Sequence, residues 1–146
     1  MQAVVLSVSK TFTLGKNERL KSRKQIEKLF AEGKSFVVNP FRVYYIDNGQ
    51  LTIVNKENSL QFGVGVSSRN FKKAVNRNRI KRLTREGWRL QNIVLKKEVK
   101  KSGKHLNVFF IYIGKELPDF EIVKDKVTVA LKKLVDKINE DNPKNT

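Results

Sequence analysis

The sequence predicts a two-layer α/β sandwich of the α+β class, in which about three helices pack on a mixed four-stranded sheet. The chain has 146 residues, which is room for one domain. Hydrophobic residues are 39% of the chain and include nine Phe, enough for a modest core. Stretches of helical and strand-like patterning follow in the order helix, two or three strands, helix, strand, helix. We expect one domain over residues 12–139, between a flexible extension at 1–11 and a flexible tail at 140–146.

The first helix is predicted to begin at Ser22. Ser22 and Gln25 fit a capping box, in which the Ser22 side chain accepts a hydrogen bond from a first-turn N–H. Gly33 predicts the end of the helix, because glycine tolerates the left-handed conformation that is common there. One face of this helix carries Ile26, Leu29 and Phe30.

Alternating sequence predicts the strands that follow. Residues 36–46 have a β-like composition, and residues 47–49 form a turn signal. A short strand at 51–54 and a polar loop at 55–59 come next, before alternation resumes over 60–67. In the first of these stretches, one face carries Phe41, Val43 and Tyr45, and the other carries Arg42, Tyr44 and Ile46.

The longest helix is predicted over about residues 72–97, with a basic loop at 96–104. Gly87 in this helix is expected to let a strand approach closely. The predicted apolar stripe of the helix is Ile80, Leu83, Gly87, Leu90 and Val94.

The strongly apolar run at 106–113 predicts a strand that is buried on both faces at the centre of the sheet. Pro118 and Asp119 are expected to open the last helix. The inward stripe of that helix is Val127, Ala130, Leu131, Leu134 and Ile138.

The composition excludes several kinds of chemistry. The chain has no Cys, which excludes disulfides, thiolate zinc sites and a Cys nucleophile. His105 is the single His, which excludes two-His metal motifs, and we interpret it as a structural residue. Without clustered carboxylates to hold metal ions, a nuclease that acts alone is disfavoured. No apolar run approaches the roughly 20 residues of a membrane span, so we expect a cytoplasmic protein with no membrane partner.

The positive charge is concentrated in two segments. Lys and Arg number 31 and Asp and Glu number 14, which gives a net charge of +17. Residues 1–34 carry a net +5 and residues 69–104 a net +12, while the other segments are neutral. Positive charges at this density repel one another, and a bound polyanion offsets that repulsion. The two basic segments therefore predict a nucleic-acid-binding surface.

Residues 72–85 contain seven cations and no carboxylate. Basic side chains along a helix bind phosphates and release condensed counterions, and Arg adds bidentate contacts that Lys lacks. Charge alone does not separate a folded RNA from a DNA major groove. No helix closely precedes this one, as a helix-turn-helix would require, so that motif is disfavoured, and a helix in a DNA major groove stays the alternative to RNA.

The positions Ala74, Val75, Arg77, Asn78, Arg79, Lys81, Arg82 and Arg85 have a specific spacing. This spacing resembles the signature of the protein component of bacterial ribonuclease P. The basic segment 12–23, the pair Phe30 and Gly33, and the segments 41–44 and 64–67 resemble that family in the same order. The resemblance covers residues 12–138, and it implies a left-handed βαβ crossover in the fold.

The resemblance also implies a function. In that family the catalytic centre belongs to an RNA subunit, which with magnesium hydrolyses the phosphodiester at the 5′ end of mature tRNA. The protein is expected to bind this catalytic RNA and the 5′ leader of precursor tRNA. It is expected to supply no catalytic residue, with magnesium held mainly by the RNA and the substrate. A ribosomal or other structural RNA-binding protein is the alternative.

The resemblance implies three sets of functional residues, matched position by position to this sequence. The first set, which would contact the RNA subunit, is Lys72, Lys73, Arg77, Asn78, Arg79, Lys81, Arg82 and Arg85. The second set, which would line a cleft for the leader, is Ile26, Phe30, Tyr44 and Arg69. The third set, of further basic contacts, is Lys16, Arg19, Lys21 and Arg23. Aromatic faces stack on unpaired bases with little sequence preference, which suits a leader of variable sequence. Packing in the core is the alternative interpretation of Ile26 and Phe30, and a structural role is also the alternative for Tyr44.

Overall fold

Four helices and four strands make up the part of the chain that the computed structural model describes, residues 18–50 and 60–140. The helices are α1 (Arg23–Glu32), α2 (Ala74–Gln91), α3 (Ile93–Ser102) and α4 (Phe120–Glu140). The strands are β1 (Lys34–Val38), β2 (Phe41–Gln50), β3 (Leu60–Val66) and β4 (Lys104–Tyr112). The predictions for residues 1–11, 51–59 and 141–146 lie outside the described residues.

The sheet is mixed and has the order β1-β2-β4-β3. β2 pairs antiparallel with both β1 and β4, whereas β3 pairs parallel with β4. The parallel pair is joined by α2 and α3, which is the βαβ connection that the resemblance implies. The predicted sandwich class and the central position of the 106–113 strand are confirmed, and the left hand of the crossover stays a prediction.

One face of the sheet carries the main core, because α2, α3 and α4 cover it. Phe41, Val43 and Tyr45 of β2 all point to this face and are buried, as the alternation predicts. Trp88 of α2 stacks on Phe62 of β3, with ring centroids 4.2 Å apart. The predicted inward stripe of α4 is buried throughout.

Among the described elements, α1 alone covers the second face, and it does so only in part. The Leu20 N–H donates to the Phe62 carbonyl at the β3 edge, and α1 begins three residues later. The helix ends at Gly33, beside the Tyr45 carbonyl on the far side of the sheet. α1 therefore crosses the second face from β3 towards β1, and no other element of residues 18–50 and 60–140 covers the rest of that face.

Both ends predicted for α1 hold, but the reason for Gly33 differs. The Ser22 side chain accepts from the Gln25 N–H at 3.4 Å, which confirms the cap. Gly33 has extended backbone, with φ −75° and ψ 171°, and is not left-handed. A Cβ at this position would lie 2.5 Å from the Leu29 carbonyl oxygen, so close approach explains the glycine.

The prediction of one helix over 72–97 and a loop over 96–104 is wrong. α2 ends at Gln91, Asn92 has φ −84° and ψ 1°, and residues 93–102 form the separate helix α3. Because Asn92 is buried and interrupts the helix, the apolar spacing restarts with Leu95 and Val99. Val94 is 61% exposed and does not belong to the stripe. The residues of α2 that are buried are Ile80, Thr84, Gly87 and Trp88.

Two smaller predictions are also wrong. Gly87 lies against a helix and not a strand, since a Cβ there would meet Val127 of α4 at 3.4 Å. The turn predicted at 47–49 is instead strand, because β2 continues to Gln50 with a shift of register after Asp47. No helix in residues 18–50 and 60–140 is both long enough and apolar enough to cross a membrane.

Candidate nucleic-acid interface

The outer face of α2 carries a stripe of polar and basic residues, which we call the basic stripe: Asn78, Arg82, Arg85 and Arg89. At about 100° per residue, these four positions fall within an arc of about 60°, on the side of the helix opposite its buried residues. Asn78, Arg82 and Arg85 are exposed, and Arg89 is half-buried. Packing of Ile80 and Trp88 against the sheet fixes this orientation.

Neutralisation by carboxylates is confined to one end of the basic stripe. Arg89 forms an ion pair with Glu86 of the same helix. Arg82 and Arg85 make no ion pair with any residue in the described part of the chain. Burial, and secondly the nearby charge of Arg19, lower the pKa of Arg85, so two cations stand close together here. This arrangement leaves the middle of the stripe available to an external anion.

The remaining signature residues take different positions. The Arg77 guanidinium donates to the Phe71 carbonyl at 2.7 Å and to the Lys72 carbonyl at 2.8 Å. Arg77 therefore holds the turn that leads into α2, a role that the spacing of the signature did not predict. Arg79 is exposed and Lys81 is half-buried, on opposite sides of the basic stripe.

The N-terminus of α2 is also strongly positive. Lys72 and Lys73 are exposed immediately before the helix. Lys73 is the N-cap and makes no side-chain capping bond, and the first turn contains no acidic residue. The partial positive charge of a helix N-terminus adds to these two cations, which favours a bound phosphate group there.

The open part of the second sheet face contains an aromatic cleft, which we define by Phe30, Tyr44 and Phe109. The Phe30 ring lies 4.8 Å from the Tyr44 ring and 5.4 Å from the Phe109 ring, in both cases edge to face. Phe30 is 42% exposed, so it is not a core residue. Ile26 is half-buried one turn earlier on the same side of α1. The structure thus brings three of the predicted cleft residues together.

Phe109 is a cleft residue that sequence reasoning missed. The apolar run 106–113 predicts a strand buried on both faces, and this is wrong for the second face, where Phe109 and Ile111 are only half-buried. The Phe109 ring lies over the two glycines of β3. A Cβ on Gly63 would come within 2.8 Å of this ring, and one on Gly65 within 3.1 Å. The available signal was the alternation of small residues in β3, which leaves space above that strand.

Arg69 and Arg42 give the aromatic cleft a cationic end. Both side chains are exposed. Arg42 lies on the same face of β2 as Tyr44 and opposite Ile111 of β4. Arg69 follows the end of β3, where its N–H donates to the Ser67 side chain at 3.1 Å. Because α2 begins five residues after Arg69, this end of the cleft leads towards the basic N-terminus of α2.

The other predicted contacts are spread over the surface. Arg19 is exposed and is held at the β3 edge by a bridge to Phe62. Lys21 and Arg23 are exposed at the start of α1, and Lys16 lies outside the described residues. No three side chains among His, Asp and Glu lie together as a metal site in residues 18–50 and 60–140. Magnesium ligands are therefore not assigned to these residues.

Comparison with known proteins identifies the family. The family model described as Ribonuclease P matches residues 14–135. A ribonuclease P protein component from Porphyromonas gingivalis is 37% identical over 121 residues, which are 83% of this chain and 85% of that protein. One from Chlorobium phaeobacteroides is 30% identical over 135 residues, 88% of this chain and 92% of that protein.

Solved structures agree with these matches. The RNase P protein from Thermotoga maritima has 29% identity and a TM-score of 0.58, over 80% of this chain and 96% of that chain. An RNase P protein structure from Staphylococcus aureus, at 21% identity and a TM-score of 0.57, supports the fold over 80% of this chain and 94% of its own. The family model and the two curated relatives each span most of the chain, so the chain belongs to the ribonuclease P protein family.

Proposed function

We propose that this chain is the protein subunit of ribonuclease P. It binds the catalytic RNA subunit and the 5′ leader of precursor tRNA, and it assists the magnesium-dependent endonucleolytic removal of the leader. The observation that carries the proposal is the combination of an uncovered basic stripe on α2 with an open aromatic cleft on the other side of the sheet. This proposal places the chain in the cytoplasm with two RNA partners, and with no DNA or membrane partner.

The basic stripe suits the RNA subunit. Arg82 and Arg85 present guanidinium groups without a described carboxylate partner, and each can make bidentate contacts with a phosphate. Lys72 and Lys73 extend the charge to the end of α2 that faces the cleft. Because α2 is fixed by its buried face, RNA binds to a preformed surface and needs little reordering of the protein.

The aromatic cleft suits a single strand. Phe30 and Tyr44 offer ring surface that stacks on any base, while Arg42 and Arg69 attract the backbone. A duplex does not have unstacked bases to place in the cleft, so the leader is the part of the precursor that fits. Mature tRNA, which has no leader, makes none of these contacts.

The chemistry of cleavage is assigned to the RNA partner. The protein contributes binding and position to an endoribonuclease, and no described residue is proposed to hold the attacking water or the leaving group. His105, the single His, is half-buried near the start of β4 and lies in neither the basic stripe nor the aromatic cleft. Magnesium is proposed to be bound by the RNA and the substrate.

A structural RNA-binding protein, the alternative function, is not favoured. A structural RNA-binding protein would account for the basic stripe, but it would not account for the exposed ring of Phe30 next to Tyr44. A contiguous apolar patch, here the rings of Phe30, Tyr44 and Phe109, is typical of a binding site, whereas single exposed apolar residues are not.

Reconstitution tests the proposal. The purified chain is added to a bacterial ribonuclease P RNA at low magnesium, and 5′ processing of a precursor tRNA is followed. We expect cleavage at the mature 5′ end only when both components are present. Cleavage by the chain without RNA would contradict the assignment of catalysis, and no effect of the chain would favour the structural alternative.

A further inference from the structure

The exposed charged residues of α3 are all lysines. Lys97, Lys100 and Lys101 are exposed, while Leu95 and Val99 on the opposite side are buried. At about 100° per residue, the three lysines fall within an arc of about 100°, centred almost opposite the two buried residues. We call this surface the lysine face.

The neighbouring lysines behave differently, because they are paired. Lys96 is 2.5 Å from a Glu18 carboxylate oxygen, and Lys104 is 3.3 Å from an Asp47 carboxylate oxygen. Both are half-buried, Lys96 on the side of α3 and Lys104 at the start of β4. The three residues of the lysine face make no ion pair with any residue of the described ranges. Charges that serve the fold are thus neutralised, and those of the lysine face are left to an external partner.

Helix stability does not account for the whole lysine face. Cations near a helix C-terminus interact favourably with the helix dipole, which explains Lys100 and Lys101 in the last turn. Lys97 lies in the middle of α3, outside the reach of that effect. It also repels the two lysines three and four residues later, which destabilises a helix by a few tenths of a kcal/mol per pair.

The position of α3 connects the lysine face to the basic stripe. Glu18 pairs with Lys96 on α3, and the charge of the next residue, Arg19, acts on Arg85 of α2 and contributes to its lowered pKa. The segment 18–19 therefore joins the two basic surfaces on one side of the molecule. A folded RNA that covers the basic stripe at Arg85 reaches α3 without passing over the aromatic cleft.

We propose that Lys97, Lys100 and Lys101 bind a second stretch of phosphate backbone of the same folded RNA that covers the basic stripe. The lysine face is then an RNA contact outside the signature segment. This inference rests on the proposed function for the identity of the RNA. Lysine is a point charge with no bidentate geometry, so we expect the contact to be electrostatic and independent of sequence.

Two variants with the same net charge test the proposal. One carries Lys97→Gln, Lys100→Gln and Lys101→Gln, and the control carries Lys115→Gln, Lys124→Gln and Lys132→Gln at other exposed positions. Affinity for ribonuclease P RNA is measured over a range of salt concentrations. We expect the slope of log affinity against log salt to become shallower by about two units in the first variant only. A variant with Arg at the same three positions keeps the positive charges, so its salt slope should equal that of the unsubstituted chain.

A second measurement locates the contact. The chain has no Cys, so an iron–EDTA cleavage reagent can be tethered at a single introduced thiol, Lys100→Cys or Arg82→Cys. We expect cleavage of two different RNA segments from the two positions.

The outcomes separate the two hypotheses. Equal salt slopes for the two Gln variants, or cleavage from Arg82→Cys without cleavage from Lys100→Cys, would overturn the lysine-face contact alone. Capture of an acidic protein by the lysine face, with RNA affinity unchanged, would overturn it as well. Failure of the unsubstituted chain to bind ribonuclease P RNA at all would overturn the proposed function.

Discussion

Phe109 forms the floor of the aromatic cleft because β3 has no side chains beneath its ring. Gly63 and Gly65 lie opposite Phe109 and Ile111 in the parallel register of β3 and β4. With no Cβ at either glycine, the ring lies down across the strand, and Phe30 packs on it edge to face. The shape of the cleft thus depends on two residues that touch no ligand.

Gly63→Ala is expected to damage the cleft and the fold together. The new methyl group would lie 2.8 Å from the Phe109 ring, so the ring must move, at a cost of about 1–3 kcal/mol of unfolding free energy. Urea unfolding measures the loss, and precursor affinity measures the effect on the cleft. The Gly63→Ala, Phe109→Ala double variant removes the contact with the ring and leaves only the one with the Leu20 carbonyl oxygen at 3.1 Å. Its loss of unfolding free energy should therefore be smaller than the sum of the two single losses, and strict additivity would contradict this account.

Tyr44→Ala is expected to weaken binding of a precursor tRNA with a leader of several nucleotides by about 1–3 kcal/mol, the worth of one stacked base. Affinity for mature tRNA should stay the same, because mature tRNA does not enter the cleft. Tyr44→Phe keeps the ring and is the matched control. Equal losses for both RNAs would point to unfolding or to another site.

His105 is expected to make stability depend on pH. Burial lowers its pKa below the ordinary value of 6.5, although a hydrogen bond with Asn107 and the charge of Asp47 act in the opposite direction. The unfolded chain therefore takes up a proton at a higher pH than the folded chain does. The contribution of His105 to the free energy of unfolding is fully present above about pH 6.5, and it is lost as the pH falls through the lower pKa of His105 in the folded chain.

The measurement is the urea midpoint at pH 7.5 and pH 5.5, in the chain and in a His105→Gln variant. Because His105 is the single His, few other side chains titrate in this window. The unsubstituted chain should lose stability at the lower pH, and the variant should lose less. A larger loss in the variant would show that the shift has the opposite sign.

At the scale of the helix, one side of α2 packs in the core and the other side carries the proposed RNA contacts. Its inner side packs on β3 and α4, and its outer side presents the basic stripe. Arg82→Ala and Arg85→Ala should each weaken binding of the RNA subunit and make the salt slope shallower by somewhat less than one unit per lost phosphate contact. Lys124→Ala on α4 is the control, and unchanged slopes in the two Arg variants would argue against phosphate contacts.

Periodicity predicted the elements well where one face alone is buried. The inward residues of α4 and of β2 follow directly from spacing, because one side of each meets the core and the other meets water. The break at Asn92 was missed because a Lys-rich helix of ten residues resembles a loop in composition. Leu95 and Val99, four residues apart, were the available signal for α3.

The site was predicted in part for a related reason. Phe30 and Tyr44 came from resemblance, and the structure places their rings together. Phe109 lies in an apolar run without alternation, so spacing could not assign it to a face. The Arg77 guanidinium donates to carbonyl groups of the turn before α2. The position of those carbonyls is set by the tertiary fold and not by helix geometry, so spacing could not predict this contact.

At the scale of the whole molecule, the net charge of +17 opposes folding in the absence of RNA. Raising NaCl from about 0.01 M to about 1 M shortens the screening length from about 30 Å to about 3 Å. The urea midpoint of the free chain should therefore rise with salt, while its affinity for RNA falls. A midpoint that falls over the same range would show that ion pairs such as Lys96–Glu18 outweigh the repulsion.

Trp88 is the single tryptophan of the chain. It stacks on Phe62 from the buried side of α2, the helix whose opposite side carries the basic stripe. Its indole is 1% exposed, so no nucleotide at the surface can quench it by contact. Intrinsic fluorescence thus reports whether the interior is assembled and stays silent about occupancy of the exterior. A label-free emission scan can therefore sort substitutions that disrupt the protein from those that only prevent it from holding its nucleic-acid partner.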